Sequence, residues 1–134
     1  MIRVLIVDDH QLVRQGVIAL LTKAPDVEIG GEARDGKEAL EAADRLTPDV
    51  VLMDIEMPRM DGLRATKELV ARHPESKVLI LSMRSDEVVV REAKRVGARG
   101  YLFKNSNREE LIAAIRIVNE GGCYCSSELK DFWN

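Results

Sequence analysis

Five short stretches of the chain are apolar almost without interruption: RVLIV at 3–7, VEIGG at 27–31, DVVLM at 49–53, KVLIL at 77–81 and GYLF at 100–103. None alternates apolar with polar, the pattern expected of parallel strands covered on both faces. VEIGG is the poorest in large apolar residues and reads as an edge strand. Between these runs the apolar positions recur at helical spacing. Leu12, Gly16, Val17, Leu20 and Leu21 share one face. Ala39, Leu40 and Ala43 follow a cap built from Asp35 and Glu38. Leu63, Thr66, Leu69 and Val70 mark a helix ending before Pro74. Val89, Ala93 and Val96 follow a cap at Ser85 and stop at Gly97. Leu111, Ile112, Ile115 and Val118 follow Ser106 and Glu109 and close at Gly121.

Strands alternating with helices predict an α/β fold: a doubly wound, five-stranded parallel sheet with helices on both faces. No repeat or linker interrupts it before residue 121. The segment GGCYCSSELKDFWN at 121–134 is turn-like with an aromatic finish, and it carries no sixth strand.

Composition narrows the class. The chain has 134 residues, 46% hydrophobic and 32% charged, which suits one globular domain. A net charge of −3 excludes a free-standing nucleic-acid binder, which would be basic. No apolar run nears the roughly 18 residues of a membrane span, and Met1 leads straight into a strand, so a cytoplasmic protein with no membrane partner is expected. Cys123 and Cys125 are too close for an unstrained disulfide and too few for a zinc site, and read as reduced thiols.

The candidate chemistry sits where strands end. In open α/β sheets ligands bind beyond the carboxyl ends of the strands. The first strand ends in Asp8 and Asp9, the third in Asp54, the fourth in Ser82 and the fifth in Lys104. Three carboxylates in one crevice repel one another and resist desolvation. A hard divalent cation, Mg²⁺, offsets both penalties. Lys104 adds a positive charge and Ser82 a hydroxyl. An acidic metal pocket with one Lys and one Ser suits phosphoryl transfer to a carboxylate. His10 reads as a solvent-facing residue at a helix start, without a chemical role.

Together, VDD at 7–9, MDIEMPRMDG at 53–62, LS at 81–82 and GYLFK at 100–104 resemble the receiver domain of bacterial two-component response regulators. The resemblance covers about residues 2–120. It implies the flavodoxin-like strand order 2-1-3-4-5. It also implies Asp54 as phosphoacceptor and Asp9 as direct Mg²⁺ ligand, with Asp8 acting directly or through water. The Glu56 backbone carbonyl and Asp54 would complete the protein ligands. Ser82 and Lys104 would bind the phosphoryl group, and Tyr101 would be the switch aromatic that turns inward as Ser82 moves. Such a domain catalyses only its own phosphorylation and dephosphorylation. Asn105 replaces a common proline after Lys104, so a trans bond is expected there. Glu56 replaces a common neutral residue, and Arg84 is placed to offset its charge.

Residues 81–126 resemble the NarL/LuxR-type subfamily, whose members control transcription through a helix-turn-helix domain. The implied partners are a sensor histidine kinase, a homodimer partner, and DNA through an output domain outside this chain. Residues 121–134 then read as the start of a linker, or as the tail of a stand-alone receiver. Two surfaces are open for the signal. One is the fourth helix with the fifth strand and helix, including an exposed valine at Val88 or Val90 and a face of Ile112, Arg116 and Ile117. The other is the first helix, with Val13 and Val17, beside the fifth. A haloacid-dehalogenase-type phosphatase would want a second Asp at position 56. A flavin binder would want a Ser/Thr/Gly loop in place of DDHQ.

Overall fold

The computed structural model describes residues 1–133. Their six strands are β1 (Ile2–Val7), β2 (Val27–Ala33), β3 (Val50–Met53), β4 (Lys77–Ser82), β5 (Gly100–Phe103) and β6 (Tyr124–Cys125). They form one sheet in the order β2-β1-β3-β4-β5-β6, with every neighbouring pair parallel. Between and after them run α1 (Gln11–Leu21), α2 (Gly36–Leu46), α3 (Gly62–Arg72), α4 (Glu87–Arg95), α5 (Arg108–Asn119) and the single turn α6 (Lys130–Trp133). The open α/β sheet and the 2-1-3-4-5 order of its first five strands are as expected.

The sixth strand corrects the sequence reading. It is two residues long, held by parallel pairing of Tyr124 with Gly100 and Cys125 with Tyr101. A backbone pairing this short leaves no side-chain periodicity to read.

The apolar strands divide their side chains between two cores. Val4, Ile6, Leu52, Leu79 and Leu102 meet α1 and α5 through Val17, Leu21, Leu111 and Ile115. Leu5, Val7, Met53, Ile80 and Tyr101 meet α2, α3 and α4 through Ala39, Ala43, Leu69 and Val90. All four residues of β3 are buried. Each such aliphatic side chain contributes about 1.5–3 kcal/mol on burial, so the central strands hold the acidic strand ends on a rigid base.

The helix ends follow local chemistry with small offsets. Asp35 caps α2 by accepting from the Glu38 amide at 2.9 Å. Asp86 and Asn107, rather than Ser85 and Ser106, occupy the cap positions of α4 and α5. Gly97 ends α4 with φ +110°, a conformation that side-chain-bearing residues rarely adopt.

Leu12 is 82% exposed, against expectation, because the inward stripe of α1 is Arg14, Val17 and Leu21. Val17 and Ile112 are buried in the core beneath α1 and α5. On α4, Val89 and Val90 are buried and Val88 is exposed. No described helix is long and apolar enough to cross a membrane.

Candidate functional site

Backbone ladders carry the acids to the sheet edge. The Asp8 amide donates to the Ala33 carbonyl at 3.0 Å, and the Asp54 amide donates to Val7 at 2.9 Å. Both carboxylates therefore stand side by side just past β1 and β3, and both residues are buried. One residue past β5, the Lys104 amide donates to the Ser82 carbonyl at 3.0 Å. Its ammonium reaches Asp8 Oδ2 at 2.7 Å and Asp54 Oδ1 at 3.2 Å. The Ile55 amide donates to Asp54 Oδ1 at 2.9 Å.

Burial, followed by the negative charge of Asp8, pushes the Asp54 carboxyl up to about 6 against the opposing pull of Lys104. Burial works against the Lys104 charge as well, but the hydrogen bond to Asp8 and the field of Asp54 outweigh it, and its pKa is raised. The pocket is short of positive charge even with Lys104 in place.

Asp9 shows where further charge fits. Its Oδ1 is buried with no hydrogen-bond partner, although His10 Nδ1 lies 3.1 Å away. His10 Nδ1 is also 3.3 Å from Asp8 Oδ1. Asp8, Asp9 and His10 present ligand atoms within 4.8 Å of one another. An orphaned carboxylate oxygen among hard oxygen donors fits a divalent cation such as Mg²⁺. The His10 ring is largely exposed at the α1 start, as expected, yet it belongs to this acidic rim.

The loop after β3 packs tightly against the main chain of Asp54. The Gly62 amide donates to Ile55 at 2.8 Å, and a Cβ on Gly62 would fall 1.8 Å from the Asp54 carbonyl oxygen. Only glycine permits this approach, which explains the DG pair. Arg59 has φ +66° in the same loop. It is held there by an ion pair with the buried Asp35. On the opposite side, buried Arg14 donates to the Asp8 carbonyl at 2.7 Å and to Glu32 at 2.9 Å, fixing the turn that carries Asp8 and Asp9. Neither arginine was singled out from sequence. Arg14 had a signal: it is a charge on the same helical stripe as Val17 and Leu21, where only a partnered cation is stable.

Ser82 is buried at the end of β4, and its Oγ accepts from the Arg84 amide at 3.0 Å. The Tyr101 hydroxyl donates to the Arg84 carbonyl at 2.8 Å, and its residue is fully buried. The switch candidate is therefore already turned inward. Arg84 Nη1 lies 3.7 Å from Glu56 Oε1, the pairing expected across the site mouth. Every described peptide bond is trans, including the one between Lys104 and Asn105.

Residues 4–116 match the response regulator receiver domain. The chain belongs to this family. It is 43% identical over 123 residues to the transcriptional regulatory protein DegU of Brevibacillus brevis, covering 92% of this chain and 52% of that protein. It is 43% identical over 121 residues to the transcriptional regulatory protein LiaR of Bacillus subtilis (strain 168), covering 90% and 57%. The chain thus spans about half the length of these curated relatives. Among solved structures it resembles a two-component response regulator of the LuxR family from Aurantimonas sp. SI85-9A1. There the TM-score is 0.92 at 31% identity, over 98% of this chain and 94% of that one. These likenesses place this response regulator receiver domain in the NarL/LuxR type.

Proposed function

We propose that Asp54 of this receiver domain accepts a phosphoryl group from a sensor histidine kinase, and that residues 2–120 form the switch it operates. The observation that carries this reading is the Asp54 carboxylate, buried beside Asp8 and held by Lys104 at the end of β3. An Asp54 oxygen attacks phosphorus, the P–N bond to the donor imidazole breaks, and the imidazole leaves with a proton. Lys104 pairs with a phosphoryl oxygen as it arrives. Asp9, Asp8, Asp54 and the Glu56 carbonyl are the proposed Mg²⁺ ligands, with His10 at their edge. Bound Mg²⁺ would neutralise charge on the transferring group. The Ser82 hydroxyl would then donate to a phosphoryl oxygen while its own oxygen still accepts from the Arg84 amide.

The chain's relatives are transcriptional regulators, and we read this domain as controlling a DNA-binding output domain beyond residues 121–134. Its place of action is then the cytoplasm. The exposed Val88 on α4 and Ile117 on α5 offer surfaces for a second copy.

Incubation with Mg²⁺ and a small phosphodonor, followed by intact mass, tests the reading. One added phosphoryl group is expected in wild type, none in Asp54→Asn and none with chelator. Equal labelling of Asp54→Asn would overturn the assignment.

A further inference from the structure

The segment after α5 is built into the fold beside Tyr101. The Ser126 amide donates to the Tyr101 carbonyl at 3.0 Å, extending the pairing of β6 with β5. Leu129 and Trp133 are buried in the same core cluster as Tyr101, Val89 and Val90. From α4, Lys94 Nζ donates to the Trp133 carbonyl at 2.6 Å and stands 5.7 Å from the Trp133 ring centroid. Arg91 adds a longer contact to the Asp131 carbonyl at 3.3 Å. The segment is held by few anchors, and Ser126 Oγ is buried without a partner among the described residues. An element held by few anchors is drawn from the less stable part of a fold and is open to regulation.

We infer that residues 123–133 form a strap whose docking on α4 and β5 is coupled to occupancy of the Asp54 pocket, through Ser82, the Arg84 main chain and Tyr101. This rests on the proposed phosphoryl site.

The physical path is continuous. Ser82 faces the pocket end of β4 and holds the Arg84 amide, while the Arg84 carbonyl is held by the Tyr101 hydroxyl. Tyr101 can anchor the 82–86 loop only while its ring stays inward. The strap pairs with the Tyr101 main chain and shares its core cluster, and so favours the inward ring over a solvent-exposed alternative. An aromatic ring with a polar tip readily takes such an alternative when one exists. Loosening the strap therefore lowers the population in which the loop is anchored and Ser82 is placed inward. A ligand that needs that population binds more weakly in proportion. Linkage makes the effect mutual: filling the pocket must tighten the strap by the same factor.

Trp133 is the sole tryptophan, so its fluorescence reports the strap without a label. The probe is beryllium fluoride with Mg²⁺, a phosphoryl mimic, on the full chain. Binding is read by the rise in melting temperature, and strap docking by acrylamide quenching of Trp133. In wild type, quenching should fall as the mimic binds, and Asp54→Asn should show neither change. Leu129→Ala and Lys94→Met, both remote from the acids, should raise the apparent Kd for the mimic about fivefold or more, the low end of ordinary coupling. Circular dichroism of the two variants confirms that the sheet persists. A melting rise in wild type without any change in quenching overturns the strap alone. Unchanged or tighter binding by both variants does the same. No melting rise in wild type overturns the phosphoryl-site reading and the strap with it.

Discussion

Replacing Asp54 with asparagine should stabilise the metal-free protein, and the gain should depend on pH. Asp54 is isosteric with asparagine, and the new amide oxygen can still accept from the Ile55 amide that now lies 2.9 Å from Oδ1. What disappears is a buried negative charge beside Asp8. The folded carboxyl titrates at about 6 against an ordinary 3.8. At about 1.4 kcal/mol per tenfold, that interval corresponds to at most about 3 kcal/mol. The folded state keeps its proton longer than the unfolded state, so wild-type stability falls as pH rises from about 4 to about 6 and stays low above. Below the unfolded value both states are protonated and the penalty is absent. The variant lacks this step. In EDTA, the stability of Asp54→Asn minus wild type should be about 0.5 kcal/mol at pH 4 and about 2–3 kcal/mol at pH 7.5. For a chain of this size that is roughly 10 °C in melting temperature. Mg²⁺ should narrow the gap, since a hundredfold excess over Kd stabilises wild type by about 2.7 kcal/mol. Urea melts across pH 4–8, with and without Mg²⁺, measure all of this. A variant no more stable than wild type at pH 7.5 in EDTA would refute the charge argument. So would a gain that does not vary with pH.

Three further substitutions probe the same geometry. Lys104→Met removes the one cation that draws the Asp54 pKa down, so Asp54 should titrate above about 6, as followed by carboxyl NMR shifts; an unmoved titration would show that the contact is incidental. Gly62→Ala places a methyl on the Asp54 carbonyl oxygen and should cost about 3 kcal/mol or more in chemical denaturation, with weakened Mg²⁺ response; a cost under about 1 kcal/mol would mean the loop can move away. Arg59→Ala leaves the buried Asp35 without its ion-pair partner and should lower stability by about 1–3 kcal/mol in the same assay, whereas a neutral result would show that the helix cap alone satisfies Asp35.

Legibility in the sequence followed burial. β1, β3 and β4 are covered on both faces, so nearly every residue in them is apolar and the strands could be read directly. The acids that end β1 and β3 stood out because a charge after such a run demands a partner. Lys104 was legible for the same reason from the end of β5. Leu12 misled because it sits one helical turn from Gly16, while the true inward position is held by a charged residue, Arg14. Helix starts slipped by one residue where two capping residues stand together, as in Ser85–Asp86 and Ser106–Asn107. Arg59 was hidden because its partner is 24 residues away and each residue alone has a local explanation.

The strap shows most clearly why sequence reading stopped at residue 121. Its residues earn their place through partners contributed by other elements: the backbone of β5 for Tyr124 and Cys125, and Lys94 and the Tyr101 cluster for Trp133. None of these contacts has a period along the chain. A segment of this kind reads as a linker, because hydrophobic periodicity detects elements that bury a whole face and misses those held by a few specific anchors. The same property makes it suited to regulation. An element stabilised by many apolar contacts would already be fully docked and could not tighten in response to one phosphoryl group, whereas one held by a strand of two residues, two buried side chains and a lysine can. The part of the fold that could not be read from the sequence is therefore the part that the inferred coupling assigns to the control of the readable site.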